Sequence, residues 1–208
     1  MKRKTSLFSR LGQLVLAMAL LSGLSVGISA CARNNITTLA DRAPKLDLQT
    51  FFAGQTVALG IFEDRFGNLR RQFRVVLEGT VDGDVLMLDE TFLYDDGEQD
   101  FRKWVIRRTG KGKDGEVLYE GSAEDIMGVA SGAVSGNALN WEYDVVLSID
   151  GRDVEVHFDD WIYQQHEDVA INRAYVSKFG IEIGSVTIVF LRGDAADAIS
   201  PLDLKRWS

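Results

Sequence analysis

From Val57 onward the chain alternates apolar and polar positions with a period of two. Over 69–79, Leu69, Arg71, Phe73, Val75 and Leu77 share one face, and Arg70, Gln72, Arg74, Val76 and Glu78 the other. Over 139–149, Leu139, Trp141, Tyr143, Val145, Leu147 and Ile149 oppose Asn140, Glu142, Asp144 and Ser148. An apolar face against a charged one at this period marks a half-buried antiparallel strand. The same reading predicts strands over 57–64, 69–79, 84–94, 101–109, 116–123, 138–149, 154–163, 169–178 and 182–192. Turn signals separate them, among them Asp82-Gly83-Asp84, Asp95-Asp96-Gly97, Lys113-Asp114-Gly115 and Asp150-Gly151-Arg152.

In the body of the chain only a short stretch near 47–53 reads as helix, and Pro44 and Pro201 both lie outside the strands, as a sheet requires. The connections leave no room for helical crossovers, and sequential hairpins remove their exposed edges by closing. The expected fold is all-β, an up-and-down antiparallel β-barrel of about 8–9 strands, lipocalin-like, over residues 47–192. An open two-sheet sandwich is the alternative. A membrane-spanning barrel does not fit, because Arg70, Gln72, Arg74, Glu142 and Asp144 would then lie in hydrocarbon.

The first thirty residues are patterned differently. Lys2, Arg3, Lys4 and Arg10 precede an apolar run from Leu11 to Val26, followed by small residues, which is the order of a secretory signal over 1–30. The stretch Ile28-Ser29-Ala30-Cys31 resembles the lipobox of bacterial lipoproteins. That resemblance implies lipidation at Cys31, cleavage before it, and a membrane partner held through the N-terminal lipid anchor. Two or three acyl chains make such an anchor stable where one is marginal. Ala32 follows the cysteine where inner-membrane lipoproteins of enterobacteria carry aspartate, so the expected location is the cell envelope, on the outer membrane facing the periplasm. Residues 31–46 read as a lipidated tether and 193–208 as a C-terminal tail.

Cleavage would leave 19 basic against 31 acidic side chains, a net charge of −12 in place of −8 for the whole chain. An acidic body disfavours nucleic acid, which is bound through clustered Lys and Arg. Cys31 is the only cysteine, so no disulfide is available to the body. A domain of this length buries enough core without one.

Candidate chemistry centres on Phe158-Asp159-Asp160-Trp161. Val154, Val156, Phe158 and Ile162 mark an apolar face on which Asp160 also falls. A carboxylate there requires a partner. Ile171, Arg173 and Tyr175 share a face of the next strand, which makes Arg173 the candidate partner for a two-pronged pair. Either the pair is structural and fixes register, or it anchors a ligand headgroup inside a mostly apolar cavity. The expected ligand-binding residues are Asp160, Arg173, Trp141, Tyr143, Phe73 and Tyr175. Glu155, His157 and Asp159 alternate on the opposite face and read as a solvated surface, so no metal and no cofactor is expected. There is no G-x-S-x-G elbow, and Gly110-Lys111-Gly112-Lys113-Asp114-Gly115 lacks phosphate-loop spacing. Gly128, Gly132 and Gly136 punctuate 126–137, which reads as a mobile connector or a lid over the barrel mouth.

Several of these words occur together elsewhere. Tyr94-Asp95-Asp96-Gly97-Glu98, Gly136-Asn137-Ala138-Leu139-Asn140-Trp141, Phe158-Asp159-Asp160-Trp161 and Ile171-Asn172-Arg173 with Lys178-Phe179-Gly180 resemble a proteobacterial family of small envelope lipoproteins defined by a domain of unknown function. The resemblance runs from about Lys45 to Arg192 and implies a calycin-type barrel without an established activity. Three functions follow as expectations. The first is an apolar-ligand binder, with an acyl lipid as the ligand class. The second is an enzyme acting on lipid through Asp160 and Arg173. The third is a structural or assembly lipoprotein without a small ligand.

Overall fold

A computed structural model describes residues 35–149 and 152–207. Cys31, the stretch 1–30 read as a secretory signal, and the turn at Asp150-Gly151 lie outside the described residues. The chain forms ten antiparallel strands: β1 (Gly54–Asp64), β2 (Leu69–Asp82), β3 (Val85–Tyr94), β4 (Gln99–Lys111), β5 (Val117–Ser122), β6 (Ile126–Ser135), β7 (Ala138–Ile149), β8 (Arg152–His166), β9 (Val169–Lys178) and β10 (Ile181–Arg192). Each pairs with its neighbours in sequence, and β1 pairs with β10, so the sheet closes into an up-and-down barrel. Of the positions that spoke against a membrane barrel, Arg74 pairs with Leu59 and Glu142 with Asp159, away from the interior, whereas Arg70, beside the β1–β2 register shift, lines the cavity.

The tenth strand is β6, where the sequence had suggested a mobile connector or lid. Its glycines are strand residues because neighbours supply the missing bulk. Gly132 pairs with Trp141, and a Cβ added there would lie 2.1 Å from Trp141 Cε3. Gly121 on β5 meets the same indole from the other side, 2.6 Å from Cζ2. The backbone of the small-residue run is paired on both edges, by β5 and β7, and the indole lies where its side chains would be. Gly128 marks a bulge in the β6–β7 ladder, with φ of 72°.

One end of the barrel is closed by the segment before β1. Asp47 caps the short helix α1 (Leu48–Phe51), with its Oδ1 accepting from the Thr50 N–H at 2.9 Å. Leu46, Leu48, Phe51 and Phe52 are buried in the core cluster. Gly79 on β2 lets the Phe52 carbonyl approach so closely that a Cβ would lie 1.7 Å from it. A polar clasp holds the plug. Arg108 Nη2 donates to Asp47 Oδ2 at 2.5 Å and to Gln49 Oε1 at 2.8 Å, and the buried Tyr119 hydroxyl donates to Gln49 Oε1 at 3.2 Å. Arg192 Nη1 donates to the Thr50 carbonyl at 2.8 Å. The backbone N–H of Leu46 donates to Gly136 O at 2.9 Å, which ties the incoming chain to the β6–β7 turn.

After β10 comes the short helix α2 (Gly193–Asp197), and the tail lies against the barrel wall. Gln99 Nε2 donates to the Leu204 carbonyl at 2.6 Å, and the Arg74 guanidinium stands 4.4 Å from the Trp207 ring centroid.

Candidate ligand-binding cavity

Ten strands give a wider barrel than side chains alone fill. The interior holds a cavity of about 1170 Å³, open toward the end opposite α1. Leu48, Phe52, Leu77, Leu88, Leu139 and Phe190 line its floor. At mid-depth the walls turn aromatic, with Phe73, Phe92, Trp104, Trp141, Tyr143 and Phe158. Trp104 stands edge-on to both Trp141 and Tyr143, with centroids 5.8 Å and 5.4 Å away. Tyr143 stacks on Phe158 at 5.2 Å. Two glycines on inward positions widen the space by hosting a ring: Phe73 lies over Gly60, and Trp141 over Gly132.

Polar groups interrupt this lining at a few points, each placed by strand alternation. On β3, Leu86, Leu88, Glu90, Phe92 and Tyr94 share the inward face, and Glu90 is 9% exposed. On β8 the inward face puts Asp160 between Phe158 and Ile162, also 9% exposed. Arg102 on β4 is the direct cross-strand neighbour of Glu90, yet its Nη2 reaches Asp125 Oδ2 in the β5–β6 turn at 2.5 Å. Asp160 Oδ1 accepts from Asn172 Nδ2 at 3.0 Å and takes a further hydrogen bond from Tyr143.

Burial dominates the protonation of these groups. It pushes Glu90 up to about 7, with Arg102 pulling back and Asp125 and Asp160 adding to the rise. It pushes Asp160 up to about 6, against the opposing effect of the Asn172 and Tyr143 hydrogen bonds. The Tyr143 hydroxyl is driven well above its ordinary range by burial and then by Asp160, so it stays a donor. Burial also disfavours the Arg102 charge, but Tyr143, Glu90 and Asp125 outweigh it, and the guanidinium remains cationic.

Of the residues the sequence singled out, Phe73, Trp141, Tyr143 and Asp160 line the cavity together. Arg173 and Tyr175 do not. The β8–β9 ladder shifts register between Gln164 and His166. A bulge of one residue exchanges the faces of everything beyond it. It therefore places Asn172, Ala174 and Val176 inside and turns Arg173 and Tyr175 outward. Arg173 pairs with Trp161 in the ladder, donates to Thr187 Oγ1 at 2.7 Å and stands 3.6 Å from Glu63. Among the described residues the expected Asp160–Arg173 pair does not form; Asp160 is hydrogen-bonded by Asn172 and Tyr143 instead. On the outer face His157 Nδ1 lies 2.9 Å from Asp144 Oδ1, but Asp159, expected on a solvated surface, is buried, and its Oδ1 accepts from Asn140 Nδ2 at 2.7 Å.

Sequence reasoning missed Glu90, Trp104, Arg102, Asp125 and Asn172. The signal for Glu90 was present, since it interrupts an apolar alternation in β3 as Asp160 does in β8. Arg102 had none, because both faces of β4 mix basic and apolar residues.

No curated protein matches the chain in sequence. In structure the chain is similar to the S-type phycobiliprotein lyase CPES from Guillardia theta, with a TM-score of 0.51 at 10% identity, over 72% of this chain and 94% of that one. It is also similar to EF1p2_mFAP2b bound to DFHBI, with a TM-score of 0.37 at 9% identity, over 71% of this chain and 100% of that one. The first likeness supports the lipocalin-like barrel as a fold. A family model matches residues 25–192, and the chain belongs to the family that it describes, "Protein of unknown function (DUF3833)".

Proposed function

We propose that this protein is a lipid-anchored protein of the cell envelope whose barrel holds an acyl lipid. The cavity carries this reading. Its volume of about 1170 Å³ exceeds what packing faults leave in a core and reaches the range of ligand pockets. Its floor is apolar and closed by α1, while its polar groups stand at mid-depth and toward the mouth. That gradient suits a ligand with an apolar body and one polar end. The anchor rests on Ile28-Ser29-Ala30-Cys31.

Two measurements test this. Native mass spectrometry of freshly purified and delipidated protein should show a co-purified species of lipid mass that delipidation removes. Ala174→Trp, which fills the cavity wall, should abolish it while far-ultraviolet circular dichroism is unchanged. An empty barrel that also takes up no added lipid ends the binding proposal. Mass spectrometry of the N-terminal peptide should show an acylated Cys31, and an unmodified cysteine on a full-length chain ends the anchor.

A further inference from the structure

On the reading that the cavity binds a ligand, the geometry points to its polar end: we infer that the ligand is an amphiphile with a protonated, hydrogen-bond-donating nitrogen, not a free fatty acid. Glu90 on β3 and Asp160 on β8 lie five strands apart in a ring of ten, on opposite walls of the cavity. Among the described residues no Lys or Arg forms an ion pair with either. The nearest interior cation, Arg102, directs its guanidinium to Asp125. Asn172, 3% exposed, lends its Nδ2 to Asp160, and its Oδ1 has no hydrogen-bond partner. Trp104 hydrogen-bonds Glu90, and Asn172 and Tyr143 hydrogen-bond Asp160, which leaves the Asn172 oxygen without a donor and both carboxyls without an ion-pair partner; buried groups left so are costly. A ligand N–H satisfies them, and an ammonium also supplies the counter-charge.

The walls between the two carboxyls favour the same class. Trp104 and Trp141 are rings over which a cation is stabilised, most strongly where water is excluded. A fatty-acid carboxylate finds the reverse. It needs donors, but the guanidiniums that line the cavity are engaged, Arg102 by Asp125, Arg71 by Asp96 and Glu98, and Arg70 by Asp64, and Glu90 and Asp160 repel it whenever they are ionised. Beyond burial, the groups that set the ionisation of Glu90 are Arg102, Asp125, Asp160 and Trp104; for Asp160 they are Asn172, Tyr143, Arg102 and the adjacent Asp159. An ammonium head favours the ionised carboxyls and so displaces protons from them, whereas a carboxylate head requires them protonated.

The test compares dodecylamine with dodecanoate by displacement of a fluorescent acyl probe from the whole protein. Dodecylamine is expected to bind at least about tenfold more tightly near neutral pH, and to tighten as pH rises through the range of about 6 to 7 where these carboxyls ionise. Dodecanoate should weaken over the same range. The double substitution Glu90→Gln with Asp160→Asn should cost the amine about tenfold and improve dodecanoate binding. A gain of that kind cannot come from a misfolded barrel. Equal or tighter binding of dodecanoate at neutral pH overturns the inference, as does amine binding that the double substitution leaves unchanged. Failure of amine, dodecanoate and probe alike overturns the binding proposal itself, and so is distinguishable from a wrong headgroup.

Discussion

The two ends of the barrel follow opposite rules. At the closed end every device favours stability: a capped helix, four buried apolar side chains, a clasp of Arg108, Gln49 and Tyr119, and a glycine that admits backbone at contact distance. At the mouth the chain spends exposure freely. Phe66 at the β1–β2 tip is 74% exposed and Phe179 at the β9–β10 tip is 93% exposed, on neighbouring hairpins joined by the Arg65 N–H to the Ile183 carbonyl. Charged rings also gather there, with Arg71 bridging Asp96 and Glu98 above the Tyr94 ring. Stability concentrated at one end leaves the other free to carry features that a fold alone would not choose.

The largest expected effect breaks the closed end. Phe51→Ala removes a ring that is 1% exposed and packed edge-on against Phe52 at 5.0 Å. Such truncations cost about 3–5 kcal/mol, and urea unfolding should show the loss, whereas Phe66→Ala at the mouth should shift the midpoint little. The next effect lies between the ends. Glu90 has an ordinary value of 4.5 and a folded value of about 7, so between them the native state binds more protons than the unfolded chain. Stability is then fully present below about 4.5 and falls as pH rises through 7, by up to about 3 kcal/mol at 1.36 per unit. Glu90→Gln should flatten that slope; a slope that survives the substitution assigns it elsewhere.

Gly132→Ala probes the join between floor and walls. The added methyl meets Trp141 at 2.1 Å and the Asn140 carbonyl at 2.9 Å, so about 1–3 kcal/mol of overpacking is expected by thermal unfolding. The indole should move into the cavity and weaken uptake of a fluorescent acyl probe. Unaltered uptake would show that the Trp141 wall does not bound the bound ligand.

These positions show what could be read from the chain alone. Strand faces on β2 and β7 were legible because apolar and charged residues separate cleanly there, and so Phe73, Trp141 and Tyr143 were placed inside correctly. Asp160 was legible as a polar residue on an apolar face. Its partner was not, because a single extra residue in the β8–β9 ladder decides whether Arg173 or Asn172 faces in, and no pattern in the Gln164-Gln165-His166 stretch announces a bulge. Strand β6 was hidden for a different reason. Its glycines have no side chains to show an apolar alternation, and the indole that covers Gly132 belongs to β7.

The smallest effect sharpens the comparison at the mouth. Lys178 and Ile181 pair across the two-residue turn Phe179-Gly180, whose residues have φ of 52° and 75°. Both central residues of such a turn need positive φ, which Asn-Gly adopts readily and which a bulky L-residue adopts only at a cost. Phe179→Asn should therefore raise stability, by about 0.5–1 kcal/mol, even though it deletes an aromatic ring. A stabilising change that deletes an exposed ring means the ring is not there for the fold. On the proposal that the barrel takes up a lipid, that ring serves loading at the mouth, where the Lys178 Nζ stands 5.4 Å from its centroid. The variant should gain in melting temperature and load an acyl probe from lipid vesicles more slowly, in the same preparation. A gain in stability with unchanged loading would leave Phe179 as plain strain, and the mouth would differ from the closed end only in being loose.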